Sequence, residues 1–252
     1  MSCAIFLNGE YEDERYYLRQ FDAAQAVVAA DGGHAFLRRV GRWPHLLIGD
    51  FDSLDARLVD EARAAGVEVV AHPARKDETD AELAVAQAAA RFPGEIVLLG
   101  ALGGALDHVL GHLCILRALA ERGRPGRIAA PALAATVLRA PTTVRLGSPV
   151  GTRVSLVALS TDVVLTLRGL EYEIIDEHLP ASVCRGLSNR VESTAPRLEL
   201  SHGLLLAMVF DGAETFGAGG LEPGSPWAGS LGTRGPGAAP DGADDGSRRE
   251  RP

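Results

Sequence analysis

Aspartate recurs in this chain at one kind of place, the few residues that follow a short apolar run. Asp31-Gly32-Gly33 follows residues 26–30, and Gly49-Asp50-Phe51-Asp52-Ser53 follows residues 46–48. A third loop, His72-Pro73-Ala74-Arg75-Lys76-Asp77-Glu78-Thr79-Asp80, follows residues 68–71, and Gly103-Gly104-Ala105-Leu106-Asp107-His108 lies just past residues 96–99. If the runs are parallel strands, these loops share the carboxyl edge of one sheet, where such sheets bind ligands. Asp31, Asp50, Asp52, Asp77, Asp80 and Asp107 would then face a common rim.

Like charges about 4 Å apart repel by about 1 kcal/mol in water and by about 4 kcal/mol at an effective dielectric of 20. Several such pairs would strain a fold whose net stability is about 5–15 kcal/mol. A hard divalent cation reverses the sign, and Mg²⁺ takes oxygen ligands while keeping places for water and phosphate. No His/Cys set with zinc spacing is present. The chemistry implied is a Mg²⁺–polyphosphate site among these loops. The plainer alternative for any single Asp is a turn or a helix cap.

The glycines and the cations fit the same site. Gly32-Gly33 and Gly103-Gly104 let backbone amides approach an anion ahead of a helix N-terminus. Lys76 is the only lysine among 25 basic residues. It reads either as a point charge for a transferring phosphoryl group or as a structural ion pair to a neighbouring Asp. His108 could steer a phosphate or serve the helix start. Neither a Walker A loop nor a GxGxxG fingerprint occurs, so nucleotide binding would use another architecture.

The elements that must position these residues are legible as alternation. Continuously apolar or β-branched runs at 3–7, 26–30, 46–48, 68–71, 96–99 and 127–130 predict strands covered on both faces. Helical patterns at 12–20, 34–40, 55–65, 80–90 and 107–122 lie between them. The fourth helix has a capping box, Thr79 with Glu82. Alternation of this kind predicts right-handed crossovers and a parallel sheet with helices on both sides, a three-layer α/β domain over 1–132. From 133 to 212 the pattern becomes two-residue alternation (142–146, 152–159, 163–167, 197–200, 204–210) broken by Gly and Pro, which predicts a small antiparallel β-sandwich domain. Residues 213–252, Gly- and Pro-rich, read as a disordered tail.

The chain has 252 residues and a formal charge of −8. That balance argues against a nucleic-acid partner and against an anionic membrane surface. No apolar stretch is long enough for a membrane span, and the first residues lack the pattern of a signal peptide. Three dispersed cysteines, with no CxxC, fit a reduced, cytoplasmic setting.

Taken together, the motifs resemble those of the thiamine pyrophosphokinase (thiamine diphosphokinase) family. The resemblance rests on Asn8-Gly9-Glu10, Ala30-Asp31-Gly32-Gly33, Ile48-Gly49-Asp50-Phe51-Asp52-Ser53, Lys76-Asp77-Glu78-Thr79-Asp80 and Gly103-Gly104-x-x-Asp107-His108. It extends to Gly169-Leu170-x-Tyr172 and Gly186-Leu187-Ser188-Asn189, covering about residues 3–212. It implies a homodimer with sites at its interface that transfers pyrophosphate from ATP to thiamine, giving AMP and thiamine diphosphate. Asp50, Asp52, Lys76, Asp77, Asp80 and Asp107 would then be catalytic, with Asp50, Asp52, Asp77 and Asp107 holding Mg²⁺. Asn8, Asp31, Gly32, Gly33, Gly103, Gly104 and His108 would line the nucleotide, and Ser188 and Asn189 the thiamine. The sequence departs from the family pattern at Ala105, His112 and Arg190, where Arg, Asn and Glu are usual. Two other readings use the same residues: a Mg²⁺-dependent phosphohydrolase with Asp50 as nucleophile, and a module that senses ATP without turnover.

Overall fold

The structure, a computed structural model, describes residues 1–52 and 54–210. Ser53 and the expected tail lie outside the described residues. Strands β1 (Ser2–Phe6), β2 (Ala26–Ala30), β3 (Leu46–Gly49), β4 (Glu68–Ala71), β5 (Glu95–Leu99) and β6 (Gly126–Ala130) alternate with helices. The helices are α1 (Glu14–Ala23), α2 (Gly33–Arg39), α3 (Ala56–Ala64), α4 (Asp80–Arg91) and α5 (Leu106–Glu121). The six strands are parallel neighbours in the order β6-β5-β1-β2-β3-β4.

Alternate residues of each central strand serve opposite faces, as the pleat requires. Cys3, Ile5 and Leu7 pack with Ala84, Ala88, Ile115 and Leu119 of α4 and α5. Ala4 and Phe6 pack with Tyr17, Phe36, Leu37 and Val59 of α1, α2 and α3. Both faces are covered, so these strands read as continuous apolar runs. Helix α4 starts at the expected capping box: the Glu82 amide donates to the Thr79 hydroxyl, and the Thr79 amide donates to the Glu82 carboxylate at 2.8 Å.

The remaining strands are β7 (Leu133–Arg139), β8 (Thr142–Arg145), β9 (Arg153–Ala158), β10 (Val163–Arg168), β11 (Ile174–Leu179), β12 (Asn189–Arg190), β13 (Arg197–His202) and β14 (Leu204–Phe210). β7 turns back on β6 antiparallel, and β14, β9 and β12 follow it, so one ten-stranded sheet runs from the α/β layer into the second region. A four-stranded sheet, β11-β10-β13-β8, faces it. Val154, Leu156, Leu205 and Ala207 from the long sheet meet Val144, Leu165, Leu167 and Leu198 from the short one. The architecture is therefore a three-layer parallel α/β region followed by an antiparallel sandwich. Residue 132 falls in the β6–β7 turn, inside a continuous sheet.

Candidate active site

Chain order makes the site. β1 to β4 advance in one direction, and α4 then carries the chain back to β5 on the other side of β1. The loops after β1 and β5 consequently leave in opposite directions and open a crevice at the carboxyl edge, the topological switch point of an open α/β sheet. The two loops touch closely. A Cβ at Gly9 would run into the carbonyl of Gly100, so only glycine allows the approach. The Tyr11 hydroxyl fastens them from behind, donating to the Leu7 carbonyl at 2.5 Å, with the Leu99 carbonyl at 3.4 Å.

Around the crevice the expected residues divide into groups. The Asn8 side chain lies against Gly32, and Gly33 packs on the β1 backbone. Asp31 is buried at the end of β2, its amide bonded to the Ile48 carbonyl, and its Cβ lies beside Gly49. Gly103 and Gly104 both have positive φ, and the Glu10 carboxylate lies over Gly103 where a side chain would otherwise stand. Among the described residues only four non-glycines have positive φ, and three of them, Asp31, Phe51 and Ser188, sit in segments singled out from the motifs. Strain of this kind concentrates at functional sites.

The strongest polar cluster joins the loops after β3 and β4. The Lys76 Nζ donates to Asp50 Oδ2 at 3.2 Å and to Asp80 Oδ1 at 2.9 Å. The Lys76 and Asp50 side chains are only 11% and 13% exposed. Asp50 Oδ1 accepts the Asp52 amide at 3.2 Å. That amide chiefly, then Lys76, holds the Asp50 carboxyl below the usual carboxylate range against the effect of burial. Burial pulls Lys76 down, but its bonds to Asp80 and Asp50 more than offset this and leave it above the usual lysine range. Both partners are thus held in their charged forms.

Asp77 and Asp107 are exposed on their own loops, and Asp107 accepts the amide of His108 at 2.9 Å. His108 is exposed. Among the described residues no three His, Cys, Asp or Glu side chains are close enough together to hold a metal ion. What the rim does present is a pair of adjacent carboxylates, Asp50 and Asp52. Mg²⁺ is commonly held by one or two carboxylates together with water and substrate phosphate. The oxygen-only donor set fits that mode.

In the sandwich, Ser188 and Asn189 part company. Ser188 is exposed, its amide bonded to the Ser155 hydroxyl. Asn189 is 4% exposed, and its side-chain amide bonds to backbone groups. It accepts from the Tyr172 amide (3.0 Å) and the Arg190 amide (2.9 Å), and donates to the Tyr172 carbonyl (2.7 Å). Asn189 therefore pins the loop that presents Tyr172, a residue 65% exposed. At the three departures from the motif pattern, Ala105 caps α5 with no side-chain bond, His112 Nδ1 bonds the Ala101 carbonyl at 2.8 Å, and Arg190 donates to the Gly151 carbonyl. Sequence reasoning passed over Tyr11 and gave Glu10, though within a quoted motif, no role. Their proximity to the two loops was visible, but a close approach between loops leaves no periodic signal.

Comparison with known proteins agrees with the motifs. Residues 17–125 match the family model described as thiamin pyrophosphokinase, catalytic domain. The thiamine pyrophosphokinase of Bacillus subtilis (strain 168) is 33% identical over 89 residues, which is 35% of this chain and 42% of that protein, so the match spans less than half of the curated relative. Two solved structures are similar over most of the described fold. A thiamin pyrophosphokinase from Geobacillus thermodenitrificans is 29% identical, with a TM-score of 0.71, covering 85% of this chain and all (100%) of that one. One from Bacillus subtilis is 22% identical, with a TM-score of 0.73, covering 83% and 99%. The resemblance to this family is borne out, by sequence in the α/β region and by fold across both sheets.

Proposed function

We propose that this chain is a thiamine pyrophosphokinase, moving the β,γ-pyrophosphoryl group of ATP to the hydroxyethyl oxygen of thiamine with release of AMP. The observation that carries this reading is the convergence of Asp50, Asp52, Lys76 and Asp80 beside the switch-point crevice, within the stretch that matches the catalytic-domain model. Asn8, Asp31, Gly32 and Gly33 on the loops after β1 and β2, and Gly103, Gly104 and His108 between β5 and the first turn of α5, would line the nucleotide at this edge.

Asp50 and Asp52 would hold Mg²⁺, with Asp77 and Asp107 reaching in from neighbouring loops; bound there, the ion would neutralise charge on the phosphate oxygens. Asp50, kept below the usual carboxylate range, is a poor proton acceptor and suits a ligand's part. Lys76 fixes Asp50 and Asp80 relative to each other, so both loops meet the substrate in one arrangement. In the sandwich, Ser188 and the Tyr172 loop pinned by Asn189 would seat thiamine. The exposed apolar surface of Tyr172, Val183 and Leu187 supports a homodimer with its sites at the interface. Among the described residues no helix is long and apolar enough to cross a membrane, and Cys3, Cys114 and Cys184 form no disulfide.

Product analysis tests the reading. Purified protein given MgATP and thiamine should release AMP and thiamine diphosphate in equal amounts. Asp52→Asn or Asp77→Asn should abolish turnover while leaving the circular dichroism spectrum and melting temperature near wild type. Release of inorganic phosphate in place of AMP, or undiminished turnover in either variant, refutes the assignment. The phosphohydrolase and ATP-sensing readings are not favoured by the comparisons.

A further inference from the structure

Resting on the reading above, we propose that Arg75 is the residue that receives the nucleotide's phosphate chain, and that its neighbour in sequence, Lys76, is a positioning residue. The loops that close the carboxyl edge, residues 7–13, 31–33, 50–55, 72–79 and 100–105, contain only two Lys or Arg residues, Arg75 and Lys76. They contain Glu10, Glu12, Asp13, Asp31, Asp50, Asp52, Asp55, Asp77 and Glu78, and Asp80 and Asp107 follow directly. A polyanion approaching this rim therefore depends on very few cations.

Lys76 is already committed. Its ammonium lies between Asp80 and Asp50, and its side chain is 11% exposed. One positive charge set against two carboxylates leaves that cluster net negative, so Lys76 has no charge to spare for a phosphate.

Arg75 is the opposite case. It is exposed, and among the described residues its guanidinium makes no hydrogen bond, ion pair or ring contact, although Asp77 and Glu78 stand two and three residues further on. An unpaired guanidinium keeps its donors for a ligand, and its planar fork matches two phosphate oxygens at once. The residue sits on the loop between β4 and α4, one position before Lys76, so whatever orients Lys76 also orients the backbone that carries Arg75.

The test separates charge recognition from general binding. Calorimetric titrations of the full chain with AMP, ADP and ATP, each with Mg²⁺, should show wild-type affinity rising with phosphate number. Arg75→Gln should weaken ATP binding about tenfold or more, as expected for loss of a charge-assisted bond, with AMP affinity nearly unchanged and the melting temperature as in wild type. Arg75→Lys should restore part of the loss. Arg75→Gln that binds ATP like wild type, or that loses AMP and ATP equally, overturns the assignment. A wild-type chain that binds ATP but forms no AMP with thiamine defeats the pyrophosphokinase reading while the Arg75 comparison still decides this one. A wild-type chain that binds no ATP overturns both.

Discussion

Lys76 ties two loops together through charge, so removing the charge while keeping the stem isolates its contribution. Lys76→Met retains most of the apolar length and deletes the ammonium. Asp80 and Asp50, 26% and 13% exposed, then face each other without a cation. Two limits bracket the cost. Exposed ion pairs contribute about 0–1 kcal/mol, and breaking a fully buried pair costs about 3–5 kcal/mol. Here the lysine is nearly enclosed and the carboxylates retain some contact with water, so about 2 kcal/mol is expected. In a chain of this size each 1 kcal/mol moves the melting temperature by about 2–4 °C, giving a fall of about 4–8 °C.

The pH dependence has a definite sign. Asp50 is held below the usual carboxylate range, so its share of stability is present above that range and disappears as pH falls through its folded value. Lys76 is held above the usual lysine range, so its share is present below that range and disappears as pH rises through its folded value. The difference between wild type and Lys76→Met should therefore be largest near neutrality and shrink toward both extremes. Thermal melts in EDTA across pH measure it. A variant that melts within about 1 °C of wild type at neutral pH, or a gap that widens in acid, refutes the picture of a lysine clamped between two ionised carboxylates.

Two further outcomes follow from buried polar groups away from this cluster. Asn189→Ala leaves the Tyr172 amide and carbonyl and the Arg190 amide without their partner, at about 2–4 kcal/mol for three bonds in a buried place; urea unfolding measures the loss, and steady-state kinetics should show KM for thiamine rising more than KM for ATP. His34 is fully buried, with Nε2 bonded to the Leu58 carbonyl and, among the described residues, no partner for Nδ1, and burial holds its pKa below the ordinary histidine value. The unfolded chain therefore takes up this proton first, so stability should fall as pH drops below about 6.5, by up to about 1.4 kcal/mol per pH unit for one proton. His112, also held low by burial, acts in the same direction, so His34→Gln should flatten the slope without abolishing it.

The parallel half of the fold was legible because both faces of its strands are buried. Every strand from β1 to β6 coincides with an expected run to within two residues, and α4 begins at its capping box. The sandwich was less legible. β7 is the run Leu-Ala-Ala-Thr-Val-Leu-Arg beside an Ala/Pro segment that resembles a linker, and its strand identity comes from pairing with β6 and β14, partners distant in sequence for the latter. β11, Ile-Ile-Asp-Glu-His-Leu, exposes three of its six residues in no alternating order and carries a register shift against β10, so no two-residue alternation survives. β12 has two residues and exists only through β9. Where a strand is defined by long-range pairing, local pattern carries little information.

The candidate site shows the same division between what a residue type implies and what its surroundings decide. Counting carboxylates on adjacent loops implies that a cation must relieve their repulsion. The structure meets part of that need without any metal, by placing the chain's one lysine between Asp50 and Asp80. It meets the rest by leaving Asp52, Asp77 and Asp107 exposed, where water reduces the repulsion of each pair to about 1 kcal/mol or less. The same arithmetic that predicts a divalent ion among these residues thus also explains why they need not converge on one point beforehand. Asn189 teaches the converse. Its place next to Ser188 marks it for the thiamine-binding part that the motif resemblance implies, yet it is buried and its side chain bonds the backbone of Tyr172 and Arg190. A polar residue in a recognised motif can hold the site by holding the loop, and only the hydrogen-bond partners reveal which.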